Sequence, residues 1–323
     1  MSVALVTTSP GFGKNPPLPQ RIAANGWTLI RADAGDLDRY LSDADFLVAG
    51  LPRVDGAVLD KAPRVKAVLK HGVGLDNIDV EACSARGIAV LNTPGANAIA
   101  VAELALAAIF ALSRNIVHGH LSVTGGGWDR RPGREIEGAT LGIIGLGAIG
   151  RVLAVKARAI GIQVLATDLN PDRDFAVRTG IRIVAIEELL AGSDFVSLHV
   201  FGGKDNAALI SAKELAAMKK GASLLNFARG EIVDMDALHR AVQTGHIAGA
   251  AIDAYAAEPP DISHPIFSDP RVLFSPHSGA DTDGALVRMG TMVIDDIEAM
   301  LRGDLPERVV NRRALQQQHQ RPA

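Results

Sequence analysis

An arginine, a pair of acids and a histidine leave three successive apolar runs late in this chain, and together their types suit one kind of reaction. Asn226-Phe-Ala-Arg229-Gly230 follows the first run, Ile252-Asp253-Ala-Tyr-Ala-Ala-Glu258-Pro-Pro the second, and Phe274-Ser-Pro-His277-Ser-Gly the third. A guanidinium fork can hold a carboxylate with two parallel hydrogen bonds. An imidazole titrates nearest neutrality and can take or return a hydroxyl proton. A carboxylate on its other ring nitrogen fixes the tautomer. Oxidation of a 2-hydroxy acid, or reduction of a 2-oxo acid, needs these three groups.

Such a reaction also needs a hydride carrier, and Leu141-Gly-Ile-Ile-Gly145-Leu-Gly147-Ala-Ile-Gly150-Arg151 offers a place for one. Leu141, Ile143 and Ile144 read as a buried strand; Gly145, Gly147 and Gly150 stand at G-x-G-x-x-G spacing, and a helical run follows. The glycines allow a tight turn, close backbone approach to a pyrophosphate and close packing of helix on strand, and the helix start suits a diphosphate. Asp168 ends the next apolar run, roughly 20 residues on, where an acid would accept hydrogen bonds from the adenosine ribose and repel a 2′-phosphate. The expected cofactor is therefore NAD, with Arg173 nearby leaving tolerance of NADP open.

These groups have to be positioned by a large core. The 323 residues suffice for two domains, with 48% hydrophobic and 21% charged content and a net charge of −3. The balance points to no nucleic acid or anionic membrane. Cys83, the single cysteine, cannot form an intrachain disulfide and fits a reducing cytoplasm. The N-terminus lacks a signal-peptide pattern, and the most apolar run, 98–112, is interrupted by Glu103 and reads as a buried helix.

Strands are expected at 3–6, 28–30, 46–49, 67–69 and 88–91, with helices at 20–25, 54–62 and 80–86 between them. A long helix at 98–114 and a Gly- and Arg-rich connector at 125–138 lead to a second series, with strands at 141–144, 163–166, 182–184, 195–200, 223–227, 249–252 and 272–274. A helix at 284–301 and a loose polar tail at 312–323 end the chain. Strand alternating with helix argues for α/β architecture, with parallel sheets wound on both faces in two domains.

In these features the chain resembles the D-isomer-specific 2-hydroxyacid dehydrogenase family, nearest the phosphoglycerate dehydrogenase and hydroxypyruvate reductase branch. The likeness runs from His71-Gly-Val-Gly-Leu-Asp-Asn-Ile-Asp79 through Asn92-Thr-Pro-Gly and Val101-Ala-Glu103 to Pro276-His277. It implies a Rossmann NAD-binding domain (98–284) inserted into a discontinuous flavodoxin-like substrate domain (1–97 and 285–323), with helices 98–114 and 284–301 crossing between them, and no metal.

The resemblance also implies roles. Arg229 clamps substrate, His277 is the acid/base and Glu258 its partner. Asp253 lies near the nicotinamide carboxamide; Ala148, Ile149, Phe227, Ala228, Arg229, His277 and Gly279 meet cofactor; and the amides of Val73 and Gly74 bind the substrate carboxylate. A homodimer formed through the cofactor domain, with a contribution from Trp128, is implied as well.

The chain departs from the family at Phe201 and Gly202, where Pro-Leu is usual, at Asn206 in place of Thr, and at Ala98, often Thr. The expected substrate is a small D-2-hydroxy acid. Arg53, Lys70 and His71 lie at strand ends where they could meet a phosphate, which favours a 3-phosphoglycerate-like acid, with hydroxypyruvate or glyoxylate as the alternative. The family's fold also serves as an NAD-sensing transcriptional co-repressor, which leaves an interaction protein open. Formate oxidation uses the same scaffold with Gln as the histidine's partner, so Glu258 counts against it.

Overall fold

A computed structural model describes residues 2–203 and 206–319. The chain divides into two compact units, one running to Asn97 and resuming at Ala280, the other spanning Ala98–Gly279. The return to the first unit falls at 279/280, earlier than the 284/285 boundary read from the sequence, because Thr282 already caps the helix of the returning segment.

The first unit opens with β1 (Ala4–Thr7), α1 (Leu18–Ala24), β2 (Thr28–Arg31), β3 (Phe46–Ala49), α2 (Gly56–Asp60), β4 (Ala67–Lys70), α3 (Val80–Ala85) and β5 (Ala89–Leu91). Its five strands are parallel, in the order β2-β1-β3-β4-β5, which is the flavodoxin-like arrangement. Every residue of β3 and β4 is buried, as expected of strands covered on both faces. Helices α2 and α3 start where an acid is available to cap them: Asp55 accepts from the Ala57 and Val58 amides and Asp79 from that of Ala82.

The second unit begins with α4 (Ala98–Ser113) and α5 (Ile116–Thr124). It continues through β6 (Thr140–Ile144), α6 (Ala148–Ala159), β7 (Gln163–Thr167), α7 (Arg173–Thr179), β8 (Arg182–Ile183), α8 (Ile186–Gly192) and β9 (Phe195–Leu198). After that come α9 (Ala212–Ala217), β10 (Ala222–Asn226), α10 (Met235–Gln243), β11 (Ile247–Ile252) and β12 (Val272–Phe274). The seven-stranded sheet runs β12-β11-β10-β9-β6-β7-β8, all parallel, a Rossmann order extended by one strand. Separate hydrophobic clusters cover the two faces of this sheet, centred on Leu224 and Val196 on one side and Ile143 and Ala105 on the other.

Two elements differ from the expected pattern. Helix α5 stands between the expected long helix and the connector at 125–138, where no element was expected, bent by 63° from α4 after Asn115, whose backbone is left-handed at φ 51°. The tail expected to be loose instead starts as a helix: α11 (Asp283–Leu301) is followed by α12 (Arg312–His319). Leu315 of α12 is buried, and Asn311 before it accepts from the Val90 amide and donates to the Ile88 carbonyl, pinning the segment to β5. The rest of the expected tail, 320–323, lies outside the described residues. No single helix among those described is long and apolar enough to cross a membrane.

His71 ends up inside the first unit, with Ser9 on its Nδ1 at 2.8 Å and the edge of Phe12 against its ring. Burial pushes it down to about 4. The unfolded chain therefore binds more protons between pH 4 and 6.5, so stability rises with pH across that window and is lost as pH falls through it. The share of this decline that belongs to His71, read in denaturant titrations as the difference between wild type and His71→Asn, is expected to be on the order of 3 kcal/mol from about pH 7 to about pH 4.

Candidate active site

In the second sheet Thr167, Ile144, Leu198, Asn226, Ile252 and Phe274 are paired in register, so the carboxyl ends of β7, β6, β9, β10, β11 and β12 stand abreast. The connection order reverses between β6 and β9. Open α/β sheets bind ligands at such a switch point, beyond the strand carboxyl ends.

The glycine loop leaves β6 there. Gly145 has φ 97°, and a Cβ on it would come within 2.5 Å of the His199 carbonyl oxygen, so both the conformation and the space demand glycine. A Cβ on Gly150 would collide with the Gly145 carbonyl, so α6 packs directly on its own turn. At Gly147 nothing stands within 4 Å of where a Cβ would be, and no side chain caps the helix it opens. The start of α6 is thus open to an outside anion. Asp168 closes the far side: Oδ2 accepts from the Leu146 amide at 2.7 Å and Oδ1 from that of Asn170 at 2.8 Å. His199, just after β9, is half-buried, with its Nδ1 out of reach of water; burial of the ring pushes it down to about 3, and a neutral ring faces the Ser197 hydroxyl at 2.8 Å. An open helix start, a backbone free of side chains and a fixed carboxylate fit a dinucleotide, with Gly145–Gly150 on its diphosphate and Asp168 on its ribose.

Beyond β10, Asn226 is fully buried and shapes the turn that carries Arg229: its Oδ1 accepts from the Ala228 amide at 3.1 Å and its Nδ2 donates to the Arg229 carbonyl at 2.8 Å. Phe227 and Ala228 are buried beneath this turn. A Cβ on Gly230 would collide with the backbone of Tyr255 and Ala256, so only glycine lets the turns after β10 and β11 touch. A Cβ on Gly202 would likewise strike Glu231 and the stem of Arg229, which accounts for glycine at that departure from the family.

The turn after β12 wraps a single carboxylate. Asp253 is buried, and its oxygens accept from the Ser275 hydroxyl at 2.6 Å and from the amides of Ser278 and Gly279, both at 2.9 Å. Between those anchors His277 holds a left-handed φ of 51°, a strained conformation for a residue with a side chain. Its Nδ1 lies 2.8 Å from both oxygens of Glu258. Glu258 also accepts from the Tyr255 amide at 3.1 Å, and the Tyr255 hydroxyl donates to the Ser275 carbonyl at 2.8 Å. Burial pushes that phenol up to about 12, so it remains a donor.

The structure thus joins His277 to Glu258 directly and to Asp253 through the turn, and sets Arg229 on the neighbouring turn. Asp253 is taken up by the His277 turn, an arrangement that the resemblance did not suggest. Val73, Gly74 and Arg53 belong to the first unit. There the Gly72 carbonyl accepts from Thr93 and the Val73 carbonyl from the Asn92 side chain, which fixes the turn. Arg53 is largely exposed and pairs with Asp55 at 3.5 Å. Lys70 is buried, its Nζ donating to the Gly50 carbonyl and the Asn77 side chain. Ala98 is buried and Phe201 exposed. Asn226, Tyr255 and Ser275 were missed as site residues; the only signal was their place within a few residues of the strand ends.

Comparison with known proteins agrees with this geometry. Residues 106–279 match the profile of the D-isomer specific 2-hydroxyacid dehydrogenase, NAD binding domain. The D-3-phosphoglycerate dehydrogenase of Methanocaldococcus jannaschii is 39% identical over 85% of this chain and 53% of its own. The chain spans about half the length of the phosphoglycerate dehydrogenases it matches. The glyoxylate reductase of Korarchaeum cryptofilum is 36% identical over 85% of each chain. Among solved structures, the TT0316 protein from Thermus thermophilus superposes with a TM-score of 0.86 at 32% identity, over 95% of this chain and all of that one. D-lactate dehydrogenase from Aquifex aeolicus, complexed with NAD and lactic acid, gives 0.81 at 28% identity over 93% of this chain and 96% of its own.

If the Asp253 carboxylate holds His277 in place, Asp253→Asn puts an NH2 group where one oxygen stood, facing either the Gly279 amide or the Ser275 and Ser278 donors. Stability is expected to fall by about 1–3 kcal/mol by denaturant titration, and turnover by roughly 10²-fold from misplacement of the imidazole. Unchanged turnover in a destabilised variant would confine Asp253 to stability.

Proposed function

From the premise that this chain belongs to the D-isomer-specific 2-hydroxyacid dehydrogenase family, we propose that it is an NAD-dependent oxidoreductase interconverting a small D-2-hydroxy acid and its 2-oxo acid. The observation that carries this reading is the His277–Glu258 pair on the turn beside Arg229, at the sheet edge that holds the open glycine loop. Bound NAD supplies the hydride acceptor, and NADH the donor. Glu258 on Nδ1 holds that nitrogen protonated and leaves Nε2 as the nitrogen that takes the hydroxyl proton during oxidation and returns it during reduction. The Arg229 fork takes the substrate carboxylate.

We assign substrate binding to the first unit as well, through the amides of the fixed Val73–Gly74 turn. For the acid itself, a 3-phosphoglycerate-like compound is supported by the names of the longer relatives and by the exposed Arg53. Hydroxypyruvate or glyoxylate is supported by the fate of the other two cations read from the sequence: Lys70 is tied to Gly50 and Asn77, and His71 is buried and neutral. A cytoplasmic setting is in keeping with Cys83, a buried free thiol.

A homodimer through the second unit is supported by α5, which buries none of its own residues and exposes Ile116, Val117, Leu121 and Val123, with Trp128 at 80% exposure just beyond. Light scattering is expected to give twice the chain mass, and Leu121→Glu to reduce it to one; a monomeric wild type would remove the dimer.

The enzyme reading is tested by following NADH and NADPH oxidation across a panel of 2-oxo acids that includes 3-phosphohydroxypyruvate, hydroxypyruvate and glyoxylate. NADH-dependent reduction of at least one is expected, with His277→Ala slower by roughly 10²–10⁴-fold. NADH binding without turnover of any acid would favour the interaction protein instead.

A further inference from the structure

We infer that Arg151 and Asp172 form a second determinant, beside Asp168, of whether a phosphate on the adenosine 2′-oxygen is accepted. The inference rests on the NAD reading above and concerns its ribose end.

Arg151 directly follows the last glycine of the loop, in the first turn of α6. Its Nε donates to the Leu146 carbonyl at 3.0 Å, while the Leu146 amide donates to Asp168 at 2.7 Å. One residue of the glycine loop is therefore held by a cation through its carbonyl and by an anion through its amide. The guanidinium lies over the Phe175 ring, 5.2 Å from its centre, and its Nη1 reaches Asp172 Oδ2 at 3.0 Å. The side chains of Arg151 and Asp172 keep 41% and 35% of their exposure, so a ligand at the loop can reach the pair.

A 2′-phosphate is an anion that a guanidinium binds in the same forked way as a carboxylate. Asp168 repels it. Arg151 would attract it, yet its charge is already answered by Asp172. The carboxylate of Asp172 is built to stay charged: its other oxygen caps α7 by accepting from the Phe175 amide at 2.9 Å, and that bond, followed by Arg151 and Arg178, holds the group below the usual carboxylate range against the opposing effect of desolvation. The chain thus carries a cation at the ribose end and masks it. Arg173, the arginine that leaves NADP open in the sequence, begins α7 directly after this cap, whereas Arg151 is the arginine bonded to the loop itself.

Asp172→Asn separates the two roles of this residue, because the asparagine oxygen still caps α7 while the charge that masks Arg151 is gone. The probes are adenosine 5′-monophosphate and adenosine 2′,5′-bisphosphate, titrated calorimetrically into the intact chain at low ionic strength. In Asp172→Asn the ratio of the bisphosphate Kd to the monophosphate Kd is expected to fall about three- to fivefold relative to wild type, the scale of one exposed ion pair. The gain should shrink with added salt and vanish when Arg151→Gln is combined with Asp172→Asn. An unchanged ratio in Asp172→Asn, or a gain that survives the loss of Arg151, overturns the inference while leaving the NAD reading intact. A wild-type chain that binds neither probe nor NADH overturns both.

Discussion

One buried carboxylate organises the reactive edge of this molecule. Asp253 is nearly inaccessible to water, and a charge in that position is tolerated only if donors replace its hydration. Ser275, Ser278 and Gly279 supply them, all from the turn that contains His277. The turn is therefore wound around Asp253, and the left-handed backbone of His277 is held by contacts on either side of it. An imidazole on a looser loop would sample many directions; this one faces Glu258.

The same edge depends on strand register. Asn226, Ile252 and Phe274 are paired across three adjacent parallel strands, so the residues just beyond them emerge side by side. Neighbouring strands lie about 4.8 Å apart, which puts arginine, acid and histidine within reach of one small molecule without a long loop. Gly230 completes the arrangement by letting one turn lie against the backbone of the next. The glycine loop and Asp168 stand on the same edge across the switch point, so cofactor and acid/base groups are placed by one sheet.

Much of this was legible in the residues, for physical reasons. Strands covered on both faces, such as β3, β4 and β10, are largely apolar runs, and the glycines at 145, 147 and 150 act through the space they leave empty. Arg229, Glu258 and His277 stood out because each follows such a run by only a few residues. What stayed hidden depended on burial that residue type does not announce. Lys70 and His71 looked like ligands for an anion, yet both are internal. A single apolar residue, Leu315, anchors α12 in a polar tail. The apolar residues of α5 do not announce by their types that they stay exposed. The hydrogen bonds of Asn226, Tyr255 and Asp253 link residues brought together only by strand pairing.

The central claim is that Glu258 acts on the reaction through His277 and not independently of it. The direct measurement is a double-variant cycle on kcat/KM for the preferred 2-oxo acid, using Glu258→Gln, His277→Ala and the two combined. The predicted result is a clear loss from Glu258→Gln when His277 is present, and no further loss when the histidine is already gone. Losses that multiply in the double variant would show the two residues working separately and would contradict the account.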